Sequence, residues 1–250
     1  MSVPSCSVPV SIDDVIQQSL LTVRDRVANA ARLAQRLPES IQLIAVSKTH
    51  PADRVAAAYA CGQNAFGENY PQEGVEKIQA LAAYRAHMVW HFIGTLQSNK
   101  TAVVASHFDW VHSVDRMKIA QRLSDQRPVT LPALQVCVHV NISDETSKSG
   151  VAPAALIPLI LYVARLPRVC LRGLMAIPSP NRSDQHAPFA QLRQLLVRCN
   201  QILTENNLPV MDTLSMGMSS DLEAAISEGA TMVRVGSAIF GMRTPAKDAS

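Results

Sequence analysis

Eight short strand-like runs alternate with helical ones along this chain, and that alternation restricts the fold more than any other feature. The runs fall at residues 41–47, 64–70, 88–94, 110–114, 134–140, 169–177, 212–215 and 231–235. In the first of them, Leu43-Ile44-Ala45-Val46-Ser47-Lys48, period-2 polarity is absent. Both faces are therefore expected to be buried, as in a parallel sheet or barrel. Helical spacing predicts helices over 12–36, up to Cys61 with Gly62 closing it, 71–86, up to Ser106, 116–124, 153–165, 184–206 and 221–228. In the sixth of these, Pro158 should kink or break the helix. The helices number eight only if the one before strand one is counted, and no room is left for a full helix after strand eight. The count fits a single-domain α/β fold, a (β/α)8 TIM barrel whose N-terminal helix covers the seam. An open doubly wound sheet is the alternative, but no GxGxxG supports its nucleotide-binding form. Residues 1–10 and 244–250 are expected to be tails, the first disordered, with one domain over 11–243.

Composition excludes several function classes. The formal net charge is only +3, and aromatics are 4%. Neither a basic patch nor a stacking platform for nucleic acid is indicated. Five cysteines, Cys6, Cys61, Cys137, Cys170 and Cys199, show no CxxC spacing and read as free thiols in a reducing compartment. No secretory signal is evident at the N-terminus. The longest apolar run, 151–164, is interrupted by Pro153 and Pro158 and is too short to span a bilayer. A cytoplasmic, monomeric protein without membrane or nucleic-acid partners is expected.

A lysine at the C-terminal end of a barrel strand lies at the mouth, where such folds keep their chemistry. An amine beside apolar surface can lose its proton and form a Schiff base. Lys48 is therefore a candidate, although a lysine could also end a strand and point into water. Strands seven and eight close next to strand one. Their ends offer Ser215, Ser219 or Ser220, the close-approach Gly217, and the pair Gly236-Ser237, where many barrels bind phosphate. Alternation puts Arg234 on the same face as Met232; it either pairs with an acid such as Glu68 or faces a ligand. His91 and His112 lie in apolar strands with no metal-ligand spacing and read as core or supporting groups. The polar loop 141–150 is long enough to be functional, and its polarity and length suggest a lid.

Several ordered blocks resemble the pyridoxal phosphate homeostasis family. They include Ala45-Val46-Ser47-Lys48-Thr49, Phe66-Gly67-Glu68-Asn69-Tyr70, Leu96-Gln97-Ser98-Asn99-Lys100, Leu214-Ser215-Met216-Gly217-Met218-Ser219 and Val233-Arg234-Val235-Gly236. The resemblance spans about residues 12–243 and implies a barrel like the alanine racemase N-terminal domain. It implies that pyridoxal 5'-phosphate is held as an aldimine on Lys48. Ser215 and the backbone of Gly236 and Ser237 would take the phosphate, Arg234 would lie near the pyridine nitrogen, and Asn69 would line the pocket near the ring. The function implied is binding of the cofactor for vitamin B6 homeostasis, by buffering it or delivering it to apo-enzymes that need it. No catalytic or metal-binding residue is assigned. The alternatives are a low-activity racemase or decarboxylase using the cofactor, and a cofactor-free aldolase-type barrel.

Overall fold

Eight parallel strands close on themselves in sequence order: β1 (Gln42–Val46), β2 (Ala65–Glu68), β3 (Val89–Phe92), β4 (Trp110–Val114), β5 (Leu134–His139), β6 (Val169–Met175), β7 (Thr213–Ser215) and β8 (Met232–Val235). A computed structural model provides this description for residues 12–143, 149–179 and 184–242. Both expected tails, and residues 144–148 of the loop 141–150, lie outside the described residues. The seam is continuous. Ala45 of β1 is level with Phe66 of β2 on one side, and Ile44 is level with Arg234 of β8 on the other. The architecture is the expected (β/α)8 barrel.

Alternation along each strand sorts side chains between two cores. Ala45, Phe66, Trp90, Val111, Leu214 and Val233 point outward and join the large apolar layer under the helices. Ile44, Ala65, Trp110, Cys137, Met175 and Met232 form a smaller cluster inside the barrel. Continuing the inward parity from Ile44 through Val46 brings the chain to Lys48 at the mouth. The same parity turns Ser47 outward, toward the helices.

The helices are α1 (Ile12–Leu33), α2 (Ala52–Ala60), α3 (Pro71–Ala80), α4 (Thr101–His107), α5 (Met117–Gln126), α6 (Leu156–Val163), α7 (Ala187–Glu205), α8 (Leu222–Ser227) and a single turn, α9 (Ser237–Phe240). α1 buries Ile16, Leu20, Val23, Val27 and Ala31, while Val15 is exposed. α1 covers the seam between β8 and β1. Its Arg26 makes a two-toothed contact with Glu223 of α8 at 2.8 and 3.0 Å, and Arg36 donates to the Ile226 carbonyl at 3.0 Å.

Two expected helices differ. The segment 71–86 ends its α-helix at Ala80 and continues as a 3-10 stretch, Ala82–His87, because Met88 must enter the sheet layer beside β3. Tertiary position overrides the good helix propensity of this alanine-containing stretch. Pro158 does not kink α6. It sits in the first turn, where its missing N–H costs nothing, after a 3-10 turn over Pro153–Ala155. Among the described residues, no helix is long and apolar enough to cross a membrane.

Candidate functional site

At the C-terminal mouth of the barrel lies a cavity of about 250 Å³. Lys48, Asn69, Arg234, Gly236 and Ser237, all singled out from sequence, line it together. The walls also include Val46, Ile93, Ile177 and Met218, so a polar rim and floor enclose apolar sides. Ser219 and His50 complete much of the rim. His50 is buried and lies against Phe240 of α9, with ring centres 5.3 Å apart.

Each polar group has a structural reason for its place. Asn69 continues the inward parity of β2 and reaches the cavity one residue past the strand. Its backbone is pressed against Gly94: a Cβ at that position would lie 2.1 Å from the Asn69 carbonyl oxygen, so only glycine fits. The Asn69 Oδ1 is buried without a protein partner. Gly236 approaches β1 in the same way, since a Cβ there would stand 3.1 Å from the Val46 carbonyl oxygen. That proximity brings the β8–α9 turn beside Lys48.

Arg234 forms the floor. Its guanidinium donates to Ser215 Oγ at 2.6 Å and to the Ala176 carbonyl at 3.0 Å. Burial lowers its pKa to about 10, which leaves it charged at neutral pH. Glu68, named from sequence as a possible counter-charge, faces away from it. The outward parity of β2 delivers that carboxylate to Lys77 of α3 instead, at 2.7 Å. Burial raises the Glu68 pKa and the Lys77 ammonium opposes the rise.

The structure places Ser215 differently from the other predicted residues. It is fully buried beneath the cavity and is not part of the lining. Its hydroxyl lies 2.8 Å from His112 Nδ1, and His112 Nε2 lies 2.9 Å from His91 Nδ1. Arg234 can only donate, so it occupies a lone pair of Ser215 and leaves the serine proton for His112. His112 then carries its proton on Nε2 and passes a hydrogen bond to His91. The reverse order would also strand the serine proton, whereas His91 Nε2 is buried without a partner in either order. Burial depresses both imidazoles, His91 to about 3 and His112 well below its ordinary value. They sit as neutral groups inside the barrel, beneath the cavity. Among the described residues, no cluster of three or more His, Cys, Asp or Glu side chains could hold a metal ion.

Sequence reasoning missed Lys77. It sits on a helix face with Gly74 and Ile78 and is only 4% exposed. Glu73, four residues earlier, was the available signal, because an i,i+4 acid–base pair can turn inward as well as outward.

The comparisons with known proteins agree with this geometry. The family model described as "Alanine racemase, N-terminal domain" matches residues 25–244. The pyridoxal phosphate homeostasis protein of Pseudomonas aeruginosa is 55% identical over 230 residues, covering 91% of this chain and 96% of that one. The structure of PipY from Synechococcus elongatus with PLP bound is 37% identical, with a TM-score of 0.79, covering 90% of this chain and all of that one. An alanine racemase of Clostridium difficile shares the fold at 16% identity and a TM-score of 0.68, and the matched region is 58% of that longer chain. With its closed barrel, its mouth cavity and relatives at this level of identity, the chain belongs to the pyridoxal phosphate homeostasis protein family, built on the barrel of the alanine racemase N-terminal domain.

Proposed function

We propose that this protein binds pyridoxal 5'-phosphate at the barrel mouth and serves the cell by holding and releasing it. The observation that carries the reading is the convergence of Lys48, Asn69, Arg234, Gly236 and Ser237 on one cavity. The residues suit the group. Apolar walls of Val46, Ile93 and Ile177 accept a flat ring, and the orphaned Asn69 Oδ1 offers a partner to a ring hydroxyl. Ser219 and the backbone of Gly236 and Ser237 supply donors for a phosphate; in this role Ser219 takes the place first assigned to Ser215. Ser215 instead orients Arg234, whose remaining N–H groups can meet a ring nitrogen. A guanidinium donates and does not readily give up its proton, so that nitrogen would stay unprotonated.

When bound, the cofactor supplies a reactive aldehyde. Lys48 would be the residue that holds this aldehyde, through its amine at the cavity wall. Held there, the aldehyde would be kept out of solution without being destroyed. A role in buffering or delivery to cytoplasmic apo-enzymes is supported by the family and by the lining. Among the described residues, the only other imidazole, carboxyl, thiol or phenol group on the cavity wall is His50. A racemase needs two proton-transferring groups placed on opposite faces of its substrate.

The test is a visible absorbance titration of the purified protein and of Lys48→Ala with pyridoxal phosphate. A band that needs Lys48, and that borohydride converts to a covalent adduct on that residue, is expected. Equal spectra for the two proteins would overturn the reading. Turnover of added amino acids by the loaded protein would replace holding with catalysis.

A further inference from the structure

We propose that Lys77 of α3, with Glu73, is the positioning device for Lys48, a role that rests on Lys48 carrying the cofactor. The Lys77 ammonium spends all three protons at once: on the Ser47 carbonyl at 2.6 Å, on Glu68 Oε1 at 2.7 Å and on Glu73 Oε1 at 2.7 Å. The same Glu73 oxygen accepts the backbone N–H of Thr49. One helix-borne ion pair thus grips the peptide on either side of Lys48, the carbonyl before it and the amide after it. Glu68 Oε1 adds a third hold by accepting from Ser47 Oγ at 2.6 Å.

The backbone there needs holding. Thr49 has a φ of +65°, in the left-handed region that β-branched residues avoid. That turn redirects the chain from β1 toward α2 and leaves the Lys48 side chain aimed across the mouth. A simple structural ion pair would be satisfied by the two carboxylates. The bond to the Ser47 carbonyl and the sharing of Glu73 with Thr49 instead tie the pair to the two peptide planes that fix the Cα–Cβ direction of Lys48. Lys77 and Glu73 do not line the cavity, so they act through Lys48 and not on the ligand.

The experiment compares two ligands on the full-length protein. Pyridoxal phosphate reports attachment to Lys48; pyridoxine phosphate, with an alcohol in place of the aldehyde, reports ring and phosphate binding alone. In Lys77→Met, attachment measured by absorbance and borohydride trapping should weaken roughly tenfold or more, as a displaced reacting group does, while pyridoxine phosphate binding stays within about twofold of wild type. Should that variant fail to fold by circular dichroism, Glu73→Ala decides, because its side chain is a quarter exposed. It should lose attachment by at least about threefold, and Glu73→Gln, which keeps an oxygen for the Thr49 amide, should restore it. Unchanged attachment in folded variants, or an equal fall for both ligands, overturns the positioning role and leaves the cofactor reading standing. No attachment in the wild type overturns both.

Discussion

Acidification should unfold this protein earlier than its surface charge suggests, because the barrel interior holds neutral imidazoles. His91 and His112 are fully buried, and burial is the leading cause of their depressed pKa values. In the unfolded chain each takes up a proton near its ordinary value of 6.5, whereas folded His91 waits until about 3. Between those limits the unfolded state binds more protons, so stability is fully present above pH 6.5 and falls as pH falls. One pH unit is worth about 1.4 kcal/mol per proton. Each imidazole therefore forfeits about 2 kcal/mol on going to about pH 5, and the pair about 4 kcal/mol, against a typical total of roughly 5–15 kcal/mol. His139, half-buried and pushed down to about 4, adds to the same trend. The assay is urea unfolding followed by circular dichroism at half-unit steps from about pH 7.5 to 5. Below about pH 6 the slope should approach or exceed roughly 2.7 kcal/mol per pH unit, two protons' worth. His91→Gln retains an amide for His112 but cannot titrate, and should lower that slope by about 1.4 kcal/mol per unit. Comparing the two proteins cancels the carboxylates. A flat profile, or identical slopes, would refute the picture of two buried neutral histidines.

Removing the Ser215 hydroxyl should strand both Arg234 and His112. Ser215→Ala is expected to cost about 2–3 kcal/mol by urea unfolding, the scale of a lost hydrogen bond to a buried charge; a cost below about 0.5 kcal/mol would show that Arg234 finds another acceptor. Gly94→Ala should act mainly on the site, since its Cβ would collide with the Asn69 carbonyl. Pyridoxal phosphate affinity should fall about tenfold with a stability loss of roughly 1–3 kcal/mol, and an unaltered titration would place Asn69 outside the site.

The barrel was legible because parallel strands buried on both faces leave continuous apolar runs, and Leu43–Val46 is such a run. Parity also carried far: counting inward from Ile44 and Met232 puts Lys48 and Arg234 at the same mouth. What Arg234 touches was not legible. Its partners, Ser215 and the Ala176 carbonyl, come from β7 and the end of β6, and only the closed register sets their depth. A strand-end serine one layer lower is placed to accept from the arginine, and the sequence pattern does not show that depth. Lys77 was hidden for another reason. On an amphipathic helix a lysine resembles solvent-facing charge, and its burial depends on the Ser47 carbonyl and Glu68 meeting it from the sheet.

The helix across the seam also has a consequence for how the chain is made. α1 is the first described element and packs against α2, α8 and α9, and its Arg26 finds Glu223 across 197 residues of sequence. At roughly 5–20 residues per second, that partner follows about 10–40 s later during synthesis. For most of that interval α1 can pack against α2 but lacks α8 and α9. Barrel closure is thus a late, long-range event, and a chaperone that shields amphipathic helices on the ribosome would find its natural client in the first two dozen described residues.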